Sequence, residues 1–246
     1  AYDISSCLFG SEMCIRYRNF NLILCGSNEQ KLKNLSASLN HKKNTINIIA
    51  GDLNDLSDIE RIAKDAKNMC NIDIVINSKV QRPGVCNALE TLLINAEVYN
   101  EMGEEIVNSL IKEDVELYVD QIIKKDFPGL TIATEEHFET EFHDLKLAIK
   151  VVNNIEEAIS HINEFSSGHT EAILTESTEA ADLFTSSIDS SVLFVNSSTR
   201  FTDGEMFGFG AEIGISTQKL HVRGPMGLEA LTSEKYVVKG NGQIRK

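Results

Sequence analysis

No apolar run in this chain approaches the ~20 residues that a membrane-spanning helix requires, and no signal peptide is visible. Cysteine is sparse and unpatterned: Cys7, Cys14, Cys25, Cys70 and Cys86 show neither CxxC spacing nor a disulfide framework, which points to a reducing cytoplasm. Histidine and cysteine form no cluster that suggests metal catalysis. Positive charge is scarce, with 23 Lys and Arg against 37 Asp and Glu and a formal charge of −14. That balance argues against nucleic acid or an anionic membrane as partner. A phosphorylated, carboxylated substrate would need local arginines to offset the field. Repeats and low-complexity segments are absent, and the opening Ala1-Tyr2-Asp3 reads as a fragment or a processed chain.

What is present reads as an ordinary globular protein. At 246 residues, 42% hydrophobic and 24% charged, the chain can bury a core in one large domain or two modest ones. Its first part has an α/β rhythm. Asn21–Gly26 reads as a buried strand, Ser27–Gln30 as a capping box opening a helix through Leu39, and Asn47–Ala50 as a second strand. Ser57–Glu60 is a further capping box, for a helix carrying Ile59, Ile62, Ala63 and Ala66. Strands alternating with amphipathic helices imply βαβ units and a parallel sheet.

The stretch from Ile72 to Asn95 organises the rest. Ile72–Asn77 is a short β-branched run of the kind that forms a buried strand. Gln81-Arg82-Pro83-Gly84 breaks it, and Val85, Ala88, Leu89, Leu92 and Leu93 then recur at helical spacing. The expectation is that Cys86 lies at the mouth of a helix, where the dipole and free N–H groups favour a thiolate and an oxyanion. Spacing alone prefers a small buried Cys before a core helix.

Two blocks shift that balance. Gln81-Arg-Pro-Gly-Val-Cys-Asn-Ala-Leu-Glu-Thr-Leu-Leu93 resembles the nucleophile motif of the gamma-glutamyl phosphate reductases (glutamate-5-semialdehyde dehydrogenases), a divergent branch of the aldehyde dehydrogenase superfamily. Val195 to Leu231, through Arg200-Phe-Thr-Asp-Gly-Glu-Met-Phe-Gly-Phe-Gly-Ala-Glu-Ile-Gly214 and His221-Val-Arg-Gly-Pro-Met-Gly227, resembles a second block of that family. The resemblance covers Ser78 to Arg245. It implies that Cys86 is the nucleophile and that Glu141, in a strand expected over Glu141–Val152, contacts the nicotinamide ribose of NADPH.

Residues 1–77 resemble a truncated short-chain dehydrogenase instead. Ser5-Ser-Cys-Leu-Phe-Gly10 stands where that family has glycine-rich phosphate-binding residues, and no tyrosine has a lysine four residues on. By analogy Asp52 and Leu53 line an adenine pocket; a helix-start turn is the alternative. The fold class expected is therefore α/β, an aldehyde-dehydrogenase-like catalytic domain preceded by a partial Rossmann-like parallel sheet. Its parts are 1–77, a catalytic thiol domain over 78–197, and a glycine-rich segment over 198–246.

Further along, Glu101–Glu113 and Val119–Lys124 read as helices with solvated faces, ended by Phe127-Pro128-Gly129. Asn154 caps a helix through Phe165. His169–Thr175 and Ser191–Asn196 read as strands, with Ala180–Phe184 on a helix between them. Gly208, Gly210 and Gly214 come close to GxGxxG, with one residue too many before the last glycine, and follow no strand of a βαβ unit, so they are no dinucleotide fingerprint. Arg200 and Arg223 carry guanidinium forks suited to carboxylate or phosphate; surface salt bridges are the alternative. His221 can serve as acid or base, or simply as a structural hydrogen-bonding group. Lys235–Arg245 reads as a strand, a Gly-Asn-Gly turn and a return. In the superfamily such a tail joins an intersubunit sheet, which implies a homo-oligomer.

The resemblance implies an NADPH-dependent, cytoplasmic enzyme of proline biosynthesis. Its small-molecule substrate would be L-glutamyl 5-phosphate, reduced to L-glutamate 5-semialdehyde through a Cys86 thioester. The alternative is a non-catalytic hybrid or relic, because the family's own cofactor half is replaced. A short-chain dehydrogenase is the third reading, opposed by the missing Tyr-x-x-x-Lys pair.

Overall fold

The structure is a computed structural model that describes residues 12–16, 22–26, 29–39, 46–50 and 55–245. It divides into two compact units, residues 1–73 and 74–246. In the first, β1 (Glu12–Arg16) runs antiparallel to β2 (Leu22–Gly26), and β2 pairs in parallel with β3 (Ile46–Ala50). Helix α1 (Glu29–Leu39) joins β2 to β3 and buries Leu32 to 1% exposure. β2, α1 and β3 are the strands and helix that the sequence predicts; β1 is not among them, and its antiparallel pairing makes the sheet mixed. The proposed adenine-pocket residues Asp52 and Leu53 lie outside the described residues, as do Ser5–Gly10.

The next element corrects the sequence reading. Helix α2 spans Leu56–Val80, and the strand expected over Ile72–Asn77 is part of it. Ile72, Val75, Ser78 and Lys79 are its buried positions there, a three-to-four-residue period that belongs to one helical face. Packing along that face overrides the β preference of Ile and Val. The start differs as well. Asp55, rather than Ser57, caps the helix, its Oδ1 accepting from the Ser57 N–H at 2.8 Å and the Asp58 N–H at 3.4 Å.

The second unit holds a four-stranded parallel sheet in the order β4-β7-β5-β6, formed by Thr91–Asn95, Lys146–Val152, Glu116–Val119 and Thr131–Ile132. Its middle is dry: Leu117, Val119, Leu147, Ala148 and Ile149 are exposed by 2% or less, under Val107 and Leu110 of α3 (Ala96–Lys112). Buried on both faces, such strands read as continuous apolar runs. The helix predicted over Val119–Lys124 is the end of β5 plus α4 (Gln121–Asp126). Asp120 separates them: Oδ1 caps the Ile122 and Ile123 N–H groups, and Oδ2 accepts from the Val151 N–H of β7 at 2.7 Å.

Helix α5 (Glu135–Glu139) precedes β7, which begins only at Lys146 and leaves Glu141 in the approach to it. Asn154 caps α6 (Ile155–Phe165) as predicted, Oδ1 accepting from the Glu157 N–H at 2.8 Å. A parallel pair follows, β8 (Thr170–Ile173) with β9 (Val192–Val195), linked by α7 (Thr178–Ser187). Ile159, Phe184 and Ile188 form their core, with Ile155, Ile162, Ile173 and Leu193 packed on it. Gly214–Ser216 (β10) and Gly224–Met226 (β11) make a small antiparallel ribbon. The strand expected over Lys235–Arg245 is not formed in this chain; Tyr236, Val237, Val238 and Ile244 lie 67% or more exposed. A lone edge segment has no ladder partner to satisfy its backbone, so it takes no regular form.

Candidate active site

The segment around Cys86 departs most from expectation. Thr91–Asn95 of the predicted helix is strand β4, paired with Ala148–Val152 of β7, and Arg82–Asn87 is a run of turns. The helical spacing of Val85, Ala88, Leu89, Leu92 and Leu93 is coincidental. A short apolar run cannot be assigned by periodicity alone, and the ladder to β7 decides it here. Cys86 therefore has no helix dipole behind it.

Local hydrogen bonds fix the turn instead. The Ala88 N–H donates to the Val85 carbonyl at 3.0 Å and the Leu89 N–H to the Ser78 carbonyl at 2.9 Å. Asn87, buried beside the exposed Cys86, donates from Nδ2 to the Thr202 carbonyl at 2.6 Å. The end of α2 supplies a second clamp. Buried Ser78 Oγ lies 3.0 Å from Ser198 Oγ and accepts from the Thr199 N–H at 3.3 Å. Gln81 Oε1 accepts from Arg200 Nε at 2.7 Å, which brings Arg200 to the Cys86 turn.

A third clamp is ionic. Lys79, fully buried, reaches Glu90 Oε2 at 2.7 Å, while Glu90 Oε1 accepts from the His143 N–H at 3.3 Å. Burial lowers the Lys79 pKa and raises that of Glu90, each partly offset by the other. The pair thus ties the Cys86 segment to the loop carrying Glu141 and His143.

The electrostatics run against an activated resting thiolate. Desolvation raises the Cys86 pKa above its ordinary value although the residue as a whole is exposed, and the Glu212 and Glu141 carboxylates add to it. A hydrogen bond from its own backbone and the Arg200 guanidinium pull the other way. Glu212 is held there by the Gly204 N–H, which donates to Oε2 at 2.9 Å. Glu141 is solvent-facing, its Oε2 3.4 Å from His143 Nε2.

Sequence reasoning singled out Cys86, Arg200 and Glu141, and these share one region. Arg223 does not join them: Nη1 donates to Asp189 Oδ1 and Nη2 to the Asp189 carbonyl, both at 2.7 Å, while Lys219 pairs with the same carboxylate. His221 Nδ1 is bonded to the Gln218 side-chain amide. Sequence reasoning passed over Asn87, Glu90, His169 and Glu212. Asn87 and Glu90 stood inside the quoted Val-Cys-Asn-Ala-Leu-Glu block, which was the available signal. His169 is buried, with Nδ1 2.7 Å from Thr170 Oγ1, and Thr170 Oγ1 is 3.0 Å from Thr202 Oγ1. Burial lowers its pKa, and only its contacts reveal it. Among the described residues no His, Cys, Asp and Glu group could hold a metal ion, and no helix is long and apolar enough to cross a membrane.

No family model matches the chain. The gamma-glutamyl phosphate reductase of Thermoanaerobacter sp. is 56% identical over 174 residues, 71% of this chain and 42% of the relative. That of Bacillus cereus is 54% identical over 185 residues, 75% of this chain and 45% of the relative. The crystal structure of Thermotoga maritima gamma-glutamyl phosphate reductase matches with a TM-score of 0.68 at 48% identity, covering 72% of this chain and 43% of that one. The chain thus spans less than half the length of the curated relatives it matches. Over that shared span it is homologous to the gamma-glutamyl phosphate reductases and shares their mixed α/β fold with its parallel sheet.

Proposed function

We propose that this chain performs the acyl-transfer chemistry of gamma-glutamyl phosphate reductase, with Cys86 as nucleophile. The observation that supports it is an exposed thiol on a turn held at three points and flanked by Arg200, in a chain 56% identical to a reductase of that name. Cys86 Sγ attacks the acyl carbon of L-glutamyl 5-phosphate. The C–S bond forms, the C–O bond to phosphate breaks, and the thiol proton leaves on the phosphate. Burial and the nearby carboxylates leave only a small thiolate fraction, but an acyl phosphate is already activated and needs little general-acid help, so the step can run through that fraction.

NADPH would supply the hydride that converts the thioester to L-glutamate 5-semialdehyde, a step of proline biosynthesis. Glu141 fits its nicotinamide ribose: the carboxylate faces solvent in the Cys86 region with acceptor capacity left for hydroxyls. The adenine contacts assigned to Asp52 and Leu53 are part of the same proposal. So is a cytoplasmic homo-oligomer in which the exposed tail pairs with a second copy. Arg223, engaged by Asp189, fits an anchoring role better than a substrate contact.

A second reading, a non-catalytic hybrid, is favoured by the antiparallel β1, which departs from the parallel doubly wound sheet of dinucleotide sites. Incubation with acetyl phosphate followed by peptide mass spectrometry tests the first reading. An acyl adduct on Cys86, lost in Cys86→Ser, is the expected outcome; absence of the adduct, or its appearance elsewhere, overturns it. Added NADPH then separates the two readings: sustained oxidation supports the reductase, and a stable adduct with background oxidation supports the hybrid.

A further inference from the structure

Polar side chains are buried only at a free-energy cost, and a set that converges on one place specifies a single arrangement there. Ser78, Asn87, His169, Ser198, Thr199 and Thr202 are buried, and hydrogen bonds tie all of them into the segments around Cys86. The contacts of Ser78 with Ser198 and Thr199 account for part of this set. The remainder is a chain that starts on β8 and ends beside the nucleophile.

Thr202 is its hub. This residue is 1% exposed and follows a single 3-10 turn, Thr199–Phe201. Its N–H donates to the Thr199 carbonyl at 3.1 Å, and its carbonyl accepts from Asn87 Nδ2 at 2.6 Å. Its Oγ1 lies 3.0 Å from Thr170 Oγ1, which is in turn 2.7 Å from His169 Nδ1. Burial lowers the His169 pKa, which keeps the ring neutral, and Nε2 has no hydrogen-bond partner among the described residues. Nδ1 is therefore the nitrogen that links the ring to the chain. Asn87 Oδ1 has no partner among the described residues either, so the Thr202 carbonyl is what fixes the amide next to Cys86.

We propose that His169, Thr170 and Thr202 are positioning residues for Cys86: their chain locks the Thr202 carbonyl against Asn87 and so holds the thiol in the orientation that reaches an acyl carbon. The proposal rests on the acyl-transfer reading of Cys86. Arg82–Asn87 is a run of turns with neither helix nor ladder to stiffen it, so the side-chain amide of Asn87 carries that task. A displacement of about 1 Å at a reacting atom can cost about 100-fold in rate. Ionisation of the thiol is governed by other groups, namely its own desolvation and backbone, Glu212, Glu141 and Arg200. The chain therefore acts on where the sulfur points, not on how much thiolate is present.

Three variants test the chain. Thr170→Val keeps the β-branched shape and removes the hydroxyl, His169→Asn puts an amide where Nδ1 stands, and His169→Gln puts one where Nε2 stands. Acylation of Cys86 by acetyl phosphate is measured against concentration, alkylation by iodoacetamide against pH, and amide hydrogen exchange in the Cys86 turn and in α6 by mass spectrometry. Thr170→Val and His169→Gln should lower the limiting acylation rate by about tenfold or more, with the half-saturating concentration unmoved. Alkylation should keep its wild-type rate and pH profile. Exchange should quicken in the Cys86 turn and not in α6, and His169→Asn should restore most of the acylation rate. A wild-type limiting rate in Thr170→Val, alkylation that falls in proportion to acylation, or His169→Gln as active as His169→Asn overturns the proposal. If wild-type Cys86 takes no acyl group, the acyl-transfer reading fails and exchange decides the chain by itself. Turn exchange that depends on Thr170 then upholds the anchoring of Cys86, and exchange independent of Thr170 overturns it.

Discussion

Lys79→Met probes the ion pair that ties the Cys86 segment to the Glu141 loop. The lysine is fully buried and its partner Glu90 is 19% exposed in its side chain, at 2.7 Å. Removing one member of a buried pair leaves the other as an uncompensated charge, which costs about 3–5 kcal/mol. For a chain of this size each kcal/mol moves the melting temperature by roughly 2–4 °C, so a drop of roughly 6–20 °C is expected. Replacing both members with apolar residues removes the stranded charge, and Lys79→Met/Glu90→Leu should recover most of the loss. Part will not return, because the His143 N–H loses its acceptor. The pH dependence has a definite sign. Glu90 titrates above its ordinary value in the folded protein, so its stabilising contribution is present at low pH and is lost as pH rises through the folded pKa. Lys79→Met removes the charge that opposes this shift, so Glu90 takes up its proton more readily in the variant and the deficit relative to wild type should shrink as the pH is lowered. Thermal melts from pH 4 to 8 check this. A single variant within about 1 kcal/mol of wild type, or a double variant as unstable as the single, would refute the reasoning.

Glu212→Gln keeps an oxygen for the Gly204 N–H while removing a carboxylate that raises the Cys86 pKa. Its alkylation rate at pH 7 should rise several-fold with the pH profile displaced to lower pH; an unchanged profile would show that the carboxylate does not act on the thiol. His161 is buried between Phe138 and Phe165, ring centroids 4.9 and 4.6 Å away, and desolvation first and Lys150 second lower its pKa to about 4. A base with a depressed folded pKa contributes stability that is present above about pH 6.5 and lost as pH falls through about 4. The loss should amount to about 3 kcal/mol across that window and be abolished in His161→Leu, as acid titrations of both proteins followed by circular dichroism would show.

The sequence revealed elements wherever one signal acted alone. β2, β3, α1, α6 and β9 were legible from apolar runs bounded by turn and cap residues, and Asn154 announced its own cap. Reading failed where two periodicities coexisted. Ile72–Asn77 looks like a strand by residue type, yet its buried positions follow a helix. Val85–Leu93 looks helical by spacing, yet Thr91–Asn95 pairs with β7. The site divides in the same way. Cys86 and Arg200 could be found in contiguous blocks, whereas the charged surroundings that raise the thiol pKa come from Glu141 and Glu212, far apart in sequence. No local pattern encodes such a convergence.

The clamp between Ser78 and Ser198 spans 120 residues. Closing a free loop of that length costs about 4 kcal/mol in chain entropy, more than the roughly 1 kcal/mol net of one hydrogen bond. The Cys86 turn therefore cannot organise itself early. During synthesis β4 must wait for β7 before it has a neighbour, and the loop from Ser198 to Thr202 emerges later still. Only after the parallel sheet has shortened the span can the two serines meet. The nucleophile thus acquires its setting at the end of folding, and a nascent chain arrested before β9 would display the thiol without it.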